Sequence, residues 1–221
     1  SAMAWIAEEE AKRARAAEAR ALPARTRDGH EVQIGANINL AEQAAFAIEH
    51  QRQVQVTRHR QAEQLLQIDS ADFTDAQLLL LARRVVALCA RDDVDGVVIT
   101  HGTDTMEESA YFLHLTVKSA KPIVLTGAMR PGTALAADGP ANLLHAVAVA
   151  AHPSSAGRGV LVVMNEEVHS ARDVTKVHAM RLDAFASPHG PLGLVVEGVP
   201  RWYRAVTRPH TTTSEFDIAA I

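Results

Sequence analysis

Thr103 and Asp104 are the residues whose types and spacing best suit chemistry in this chain. They stand in the run Asp95-Gly-Val-Val-Ile-Thr-His-Gly-Thr-Asp-Thr-Met-Glu-Glu-Ser109, where an apolar stretch ends in a bare Gly-Thr-Asp-Thr turn. The β-branched Val97, Val98 and Ile99 suit a buried parallel strand. Thr105 with Glu108 reads as a capping box opening a helix, the hydroxyl meeting an early N–H and the carboxylate reaching back. The Thr-Asp pair therefore falls between the carboxyl end of a strand and a helix N-terminus, where open α/β sheets bind ligands. A turn can also carry such a pair for capping alone.

Three further turns offer matching groups. Asp69-Ser70-Ala71-Asp72 precedes a helix, Gly127-Ala128-Met129 ends a second strand, and Arg172-Asp-Val-Thr-Lys176 follows a third. Parallel strands would deliver all four turns to one edge of the sheet. That rim then holds hydroxyls, a carboxylate, close-approach backbone and one lysine. The set suits a small zwitterionic substrate: a carboxylate for its ammonium, Ser70 and N–H groups for its carboxylate, hydroxyls for the reacting centre. A hydroxyl is a weak nucleophile until a neighbour takes its proton. Lysine occurs only at Lys12, Lys118, Lys121 and Lys176. Lys176 is either a surface charge or, when desolvated, the required base.

The elements that must position these groups follow from periodicity. From about residue 63 the pattern is regular: a helix from Thr74-Asp75 to about Ala90, a strand at 95–100, a helix at 105–118, a strand at 122–126, a helix at about 138–151 opened by Asp138-Gly-Pro140, and a strand at 159–164. This alternation predicts an α/β fold, a Rossmann-like or flavodoxin-like parallel sheet with helices on both faces. Residues 1–60 differ, being rich in Ala, Arg, Glu and Gln and mostly helical in pattern. Glu8 to Ala21 reads as a solvated helix with Glu8/Lys12 and Glu9/Arg13 pairs; Glu31-Val-Gln-Ile-Gly35 reads as a short strand and turn. The α/β domain spans 61–187, and the proline-punctuated segment 188–221 reads as a linker.

Composition narrows the function. An apolar fraction of 48% with 4% aromatic residues fits a single aliphatic core. A formal net charge of −4 gives nucleic acid or an anionic membrane no electrostatic reason to bind. No apolar run reaches the ~18 residues of a membrane span, and no signal-peptide core is visible, so a cytoplasmic location is expected. Cys89, the only cysteine, falls in an apolar helical run and reads as a buried structural thiol. Among the eleven histidines no metal-ligand spacing occurs, and His101 reads as a packing or hydrogen-bonding residue. There is no phosphate loop or Gly-x-Gly-x-x-Gly, so no cofactor and no metal is expected. Glu166, Glu167 and Asp173 read as a solvated turn.

Together these runs resemble the bacterial-type L-asparaginases, which hydrolyse asparagine to aspartate and ammonia. The matching stretches are Gln67-Ile-Asp-Ser-Ala-Asp72, Ile99-Thr-His-Gly-Thr-Asp-Thr-Met-Glu-Glu108, Leu125-Thr-Gly-Ala-Met-Arg-Pro131, Ala137-Asp-Gly-Pro-Ala-Asn142, Gly159-Val-Leu-Val-Val-Met-Asn165 and Arg172-Asp-Val-Thr-Lys176, in family order over roughly residues 63–217. The resemblance implies that Thr103 is the second of two site threonines, with Lys176 as the base on its hydroxyl. It implies that Asp104 holds the substrate ammonium and helps fix the lysine, that Ser70 binds the α-carboxylate, and that the Ala128 carbonyl accepts from the side-chain amide. Ala71 stands where many relatives carry Gln, which opens the balance between asparagine and glutamine. The implied partners are the small-molecule substrate and further copies of the chain, a homo-oligomer.

Two departures accompany the resemblance. The Thr-Gly-Gly-Thr-Ile-type turn that ends the family's first strand is missing; Thr26, in Ala24-Arg-Thr-Arg-Asp28, lacks the glycines, and no threonine follows Gly35. The family's second, smaller domain is also not in the sequence. The expectation is an asparaginase-type amidohydrolase domain of impaired activity. The alternatives are a non-catalytic pocket for aspartate or asparagine and an inactive truncated asparaginase.

Overall fold

The computed structural model describes residues 31–35 and 59–221. The Glu8–Ala21 helix and Thr26 lie outside the described residues. In chain order the strands are β1 (Glu31–Gly35), β2 (His59–Glu63), β3 (Val94–Thr100), β4 (Ile123–Thr126), β5 (Val160–Met164), β6 (Glu167–Ser170), β7 (Thr175–Lys176), β8 (Phe185–Ala186), β9 (Gly193–Val196) and β10 (Val199–Trp202). The helices are α1 (Asp75–Cys89), α2 (Met106–Thr116) and α3 (Gly139–Ala151).

Eight strands form one sheet in the order β10-β9-β6-β5-β4-β3-β1-β2. Strands β2, β1, β3, β4 and β5 are parallel, the 2-1-3-4-5 order of a flavodoxin-like sheet. The order reverses between β1 and β3. A crevice therefore opens beyond the carboxyl ends of those two strands.

Side-chain alternation builds the layers. Val97 and Ile99, Ile123 and Leu125, and Val160, Val162 and Met164 pack with Leu81, Val85, Met106 and Leu113 of α1 and α2. The alternate residues Val98, Val124, Leu161 and Val163 face Leu143, Ala146, Val147 and Ala150 of α3. A period of two on strands buried on both faces forces this sandwich. Cys89 lies buried at the end of α1, where burial pushes its thiol pKa up.

Two expectations need correction. The sheet is mixed: β6 runs antiparallel to β5, β9 to β6, and β10 to β9. Asn165 and Glu166 reverse the chain with φ of 50° and 68°, and Glu197 and Gly198 do so with φ of 51° and 75°. Both are two-residue hairpin loops of the kind whose twist matches the strands. The segment read as a linker thus adds the β9–β10 hairpin to the sheet, and Pro200 sits in its edge strand, where a missing N–H costs no ladder bond. β1 is the short strand that Glu31-Val-Gln-Ile-Gly35 suggests, inserted between β2 and β3. Among the described residues no helix is long and apolar enough to cross a membrane.

Candidate active site

The register of the sheet sets the floor of the site. Thr100 pairs with Thr126, so the turns starting at His101 and Gly127 leave the sheet at one level. The His101 N–H donates to the Thr126 carbonyl at 2.8 Å and extends the ladder one step further. His101 is buried, with Nδ1 2.7 Å from its neighbour's Gly102 carbonyl and Nε2 3.0 Å from Ser109 Oγ. A carbonyl can only accept, so Nδ1 carries the proton and Nε2 accepts from Ser109. Burial lowers the His101 pKa, in keeping with this neutral ring. His101 is a hydrogen-bonding residue that shapes the turn from behind.

Two glycines let the turns close on one another. A Cβ on Gly102 would lie 2.3 Å from Ser70 Oγ, and one on Gly127 would lie 2.5 Å from the His101 carbonyl oxygen. The same Cβ on Gly127 would stand 3.4 Å from Thr103 Cγ2, so the Gly127-Ala128 turn abuts the Thr103 side chain. Three turns far apart in sequence are thereby packed into one small volume.

Within it Lys176 Nζ donates to Thr103 Oγ1 at 2.8 Å and to Asp104 Oδ1 at 2.6 Å. The lysine side chain is 16% exposed and the Asp104 side chain 58%, so the carboxylate faces solvent from the rim. Ser70 is buried, and its Oγ accepts from the Asp104 N–H at 3.3 Å. Thr103, Asp104, Lys176 and Ser70 form one connected hydrogen-bonded group. Ala128 lies across Gly127 from it.

Lys176 does not arrive as the sequence suggests. β6 carries the chain back down the sheet, since Ser170 pairs with Leu161 near the start of β5. The chain then climbs again, and Lys176 sits in β7, which pairs only with β8. Its backbone N–H donates to Glu107 Oε2 in the first turn of α2. The capping box at Thr105 is not formed either. Thr105 makes no side-chain cap bond; its hydroxyl donates instead to the Ser70 carbonyl at 2.8 Å, tying the start of α2 to the Ser70 turn.

The turn bearing Ala128 is held by residues to which the sequence reading gave no site role. Asp138 accepts from the N–H groups of Met129 and Arg130, each at 2.9 Å. Asn142, buried one helical turn later, donates to the Gly127 carbonyl at 3.0 Å and accepts from the Asn165 N–H at 2.9 Å. The carboxyl ends of β4 and β5 are thus cross-linked through the first turn of α3. The sequence signals are the Ala137–Asn142 stretch among the family-like runs and an Asp and an Asn four apart at a helix start, which share a face.

The group contains an amine against a hydroxyl, an exposed carboxylate beside them, and a buried hydroxyl below. That is the equipment of a covalent hydrolase with an amine base. Among the described residues no group of three or more His, Cys, Asp or Glu could hold a metal ion.

Known proteins are similar to this chain. Residues 24–208 match the family described as Asparaginase, N-terminal. The chain is 55% identical over 159 residues to the glutaminase-asparaginase of Pseudomonas aeruginosa, covering 72% of this chain and 44% of that protein. It is 50% identical over 160 residues to L-asparaginase 2 of Escherichia coli, covering 72% of this chain and 45% of that one. The crystal structure of a probable cytoplasmic L-asparaginase from Campylobacter jejuni superposes with a TM-score of 0.79 at 43% identity, over 87% of this chain and 62% of that chain. The chain spans less than half the length of these curated relatives. The match begins at residue 24, so it takes in β1 as well as the stretches legible in the sequence. On its matched span and these identities, the chain belongs to the asparaginase family, as the N-terminal domain.

Proposed function

We propose that this chain hydrolyses the side-chain amide of L-asparagine, giving L-aspartate and ammonia, with Thr103 as nucleophile and Lys176 as its base. The observation that carries the reading is the pair of contacts from Lys176 Nζ, 2.8 Å to Thr103 Oγ1 and 2.6 Å to Asp104 Oδ1. Nζ spans both partners. A substrate ammonium bound at Asp104 would replace Lys176 as that carboxylate's partner; Lys176 gives its extra proton to bulk water and faces the Thr103 hydroxyl as a neutral amine. Lys176 then takes the hydroxyl proton as Thr103 Oγ attacks the amide carbon. As the tetrahedral intermediate collapses, Lys176 returns that proton to the amide nitrogen, which leaves as ammonia, and an ester remains on Thr103. Water attacks that ester, Lys176 accepts its proton, and aspartate departs as the Thr103 hydroxyl re-forms.

The remaining residues orient the substrate. Ser70 Oγ keeps its own proton while accepting from Asp104 N–H, so it can donate to the substrate α-carboxylate. The Ala128 carbonyl accepts from the amide nitrogen, with its turn fixed by Asp138 and Asn142. Ala71 beside Ser70 offers no side chain long enough to hydrogen-bond a substrate, which favours the smaller amide over glutamine. Assembly as a homo-oligomer, and a cytoplasmic location of the kind named for the Campylobacter protein, belong to the same proposal.

Ammonia release from asparagine by the purified chain tests the reading. Wild type is expected to turn over, and Thr103→Val to lose at least about 100-fold in kcat with its unfolding midpoint unchanged, because Val keeps the shape and deletes the nucleophile. Turnover surviving in Thr103→Val would remove Thr103 from the chemistry.

A further inference from the structure

Lys176 reaches Thr103 from a piece of structure that the main sheet does not hold. β7 and β8 are two residues each, pairing Thr175 with Ala186 and Lys176 with Phe185, and they form a separate sheet. So short a ladder specifies its register weakly. A shift of one residue would turn the lysine side chain to the opposite face. Beyond the ladder the Val177 N–H donates to the Ala184 carbonyl at 2.7 Å, and a side chain from another element adds a tie at the lysine itself: Glu107 Oε2 accepts the Lys176 backbone N–H.

Glu107 lies four residues past Thr103 and three past Asp104, in the first turn of α2. The same stretch of chain therefore carries both targets of Nζ and the acceptor for the lysine main chain. Lys176 is held at its backbone by Glu107 and at its tip by Thr103 and Asp104. The hairpin's attachment to the core does not depend on this bond, since Val174, Ala184 and Phe185 are buried in the cluster under α1 and α2.

We propose that Glu107 is a positioning residue for amide hydrolysis, setting the register of β7 so that Lys176 Nζ meets Thr103 Oγ1. This rests on the asparaginase reading above. The acceptor oxygen is what the role requires, not the charge. Gln offers a carbonyl oxygen at the same reach, and Ala offers none.

Two measurements on the chain test this. In steady-state kinetics with asparagine, Glu107→Ala lowers kcat by about 10- to 100-fold with KM within about threefold, while Glu107→Gln stays within about threefold of wild type in both. In NMR of the Lys176 side-chain ammonium, the Nζ signal moves in Glu107→Ala and holds its wild-type position in Glu107→Gln. A Glu107→Ala protein with wild-type kcat, or with an unmoved Nζ signal, overturns the proposal. So does a Gln variant that behaves like Ala. If wild type itself releases no ammonia, the asparaginase reading fails, and the NMR comparison alone decides whether Glu107 sets the lysine.

Discussion

Gly102 shows how tightly the site is assembled at the level of single atoms. Its missing Cβ would lie 2.3 Å from Ser70 Oγ and 2.6 Å from Ser70 Cβ, and Ser70 is itself buried. Gly102→Ala must push Ser70 aside, at a cost of about 1–3 kcal/mol for an overpacked site. Urea unfolding measures that cost, and kinetics should show KM for asparagine rising more than kcat falls if Ser70 has the substrate-binding role proposed for it. An unchanged KM would separate Ser70 from the substrate carboxylate. Lys176→Met makes the opposite split: kcat falls steeply while aspartate binding, followed by calorimetry, persists. At this scale the sequence was informative where a residue's type restricts its use, as with the glycines of the Gly-Thr-Asp-Thr and Gly-Ala-Met turns. It was silent where a versatile residue serves a distant partner. Thr105 and Asp138 both look like helix caps, and both spend their side chains on neighbouring turns instead.

The elements divide in the same way. β3, β4, β5 and the three helices fall within a few residues of the boundaries that periodicity suggests, because a strand buried on both faces needs an unbroken β-branched run. The hairpins at Asn165-Glu166 and Glu197-Gly198 leave little mark in the sequence, because glutamate at positive φ is no hairpin signal and Pro188, Pro191 and Pro200 suggest a linker. The path to Lys176 through β6 and β7 was hidden for that reason. α3 matters to the site through its first turn alone. Asn142→Ala removes the bond to the Gly127 carbonyl and strands the Asn165 N–H, which should cost about 1–3 kcal/mol in chemical unfolding. Activity should fall with it, as the Ala128 turn loosens. An Asn142→Ala protein of wild-type stability would show that Asp138 alone suffices to hold the turn.

For the whole molecule, pH acts through buried histidines remote from the site. His114, in the last turn of α2, is fully buried and accepts the Val160 N–H at Nδ1, 3.1 Å away. Burial, with His210 and Arg172 nearby, pushes its pKa down to about 4. His169, buried in β6, is likewise pushed to about 4 by desolvation. The unfolded chain protonates these rings near pH ~6.5, the native chain only near 4, so between those values the unfolded state binds more protons. The stability is fully present above about pH 6.5 and is lost as pH falls toward 4, by at most about 1.4 kcal/mol per pH unit for each ring. Urea unfolding across this range should show the slope, and His114→Gln should remove one ring's share of it.

The chemistry itself is most directly tested by acid-quenching the chain during turnover of asparagine and mapping the covalent adduct by mass spectrometry. An aspartyl ester on the Thr103 hydroxyl is expected, formed more slowly in Lys176→Met. Ammonia released with the ester on another residue would contradict it.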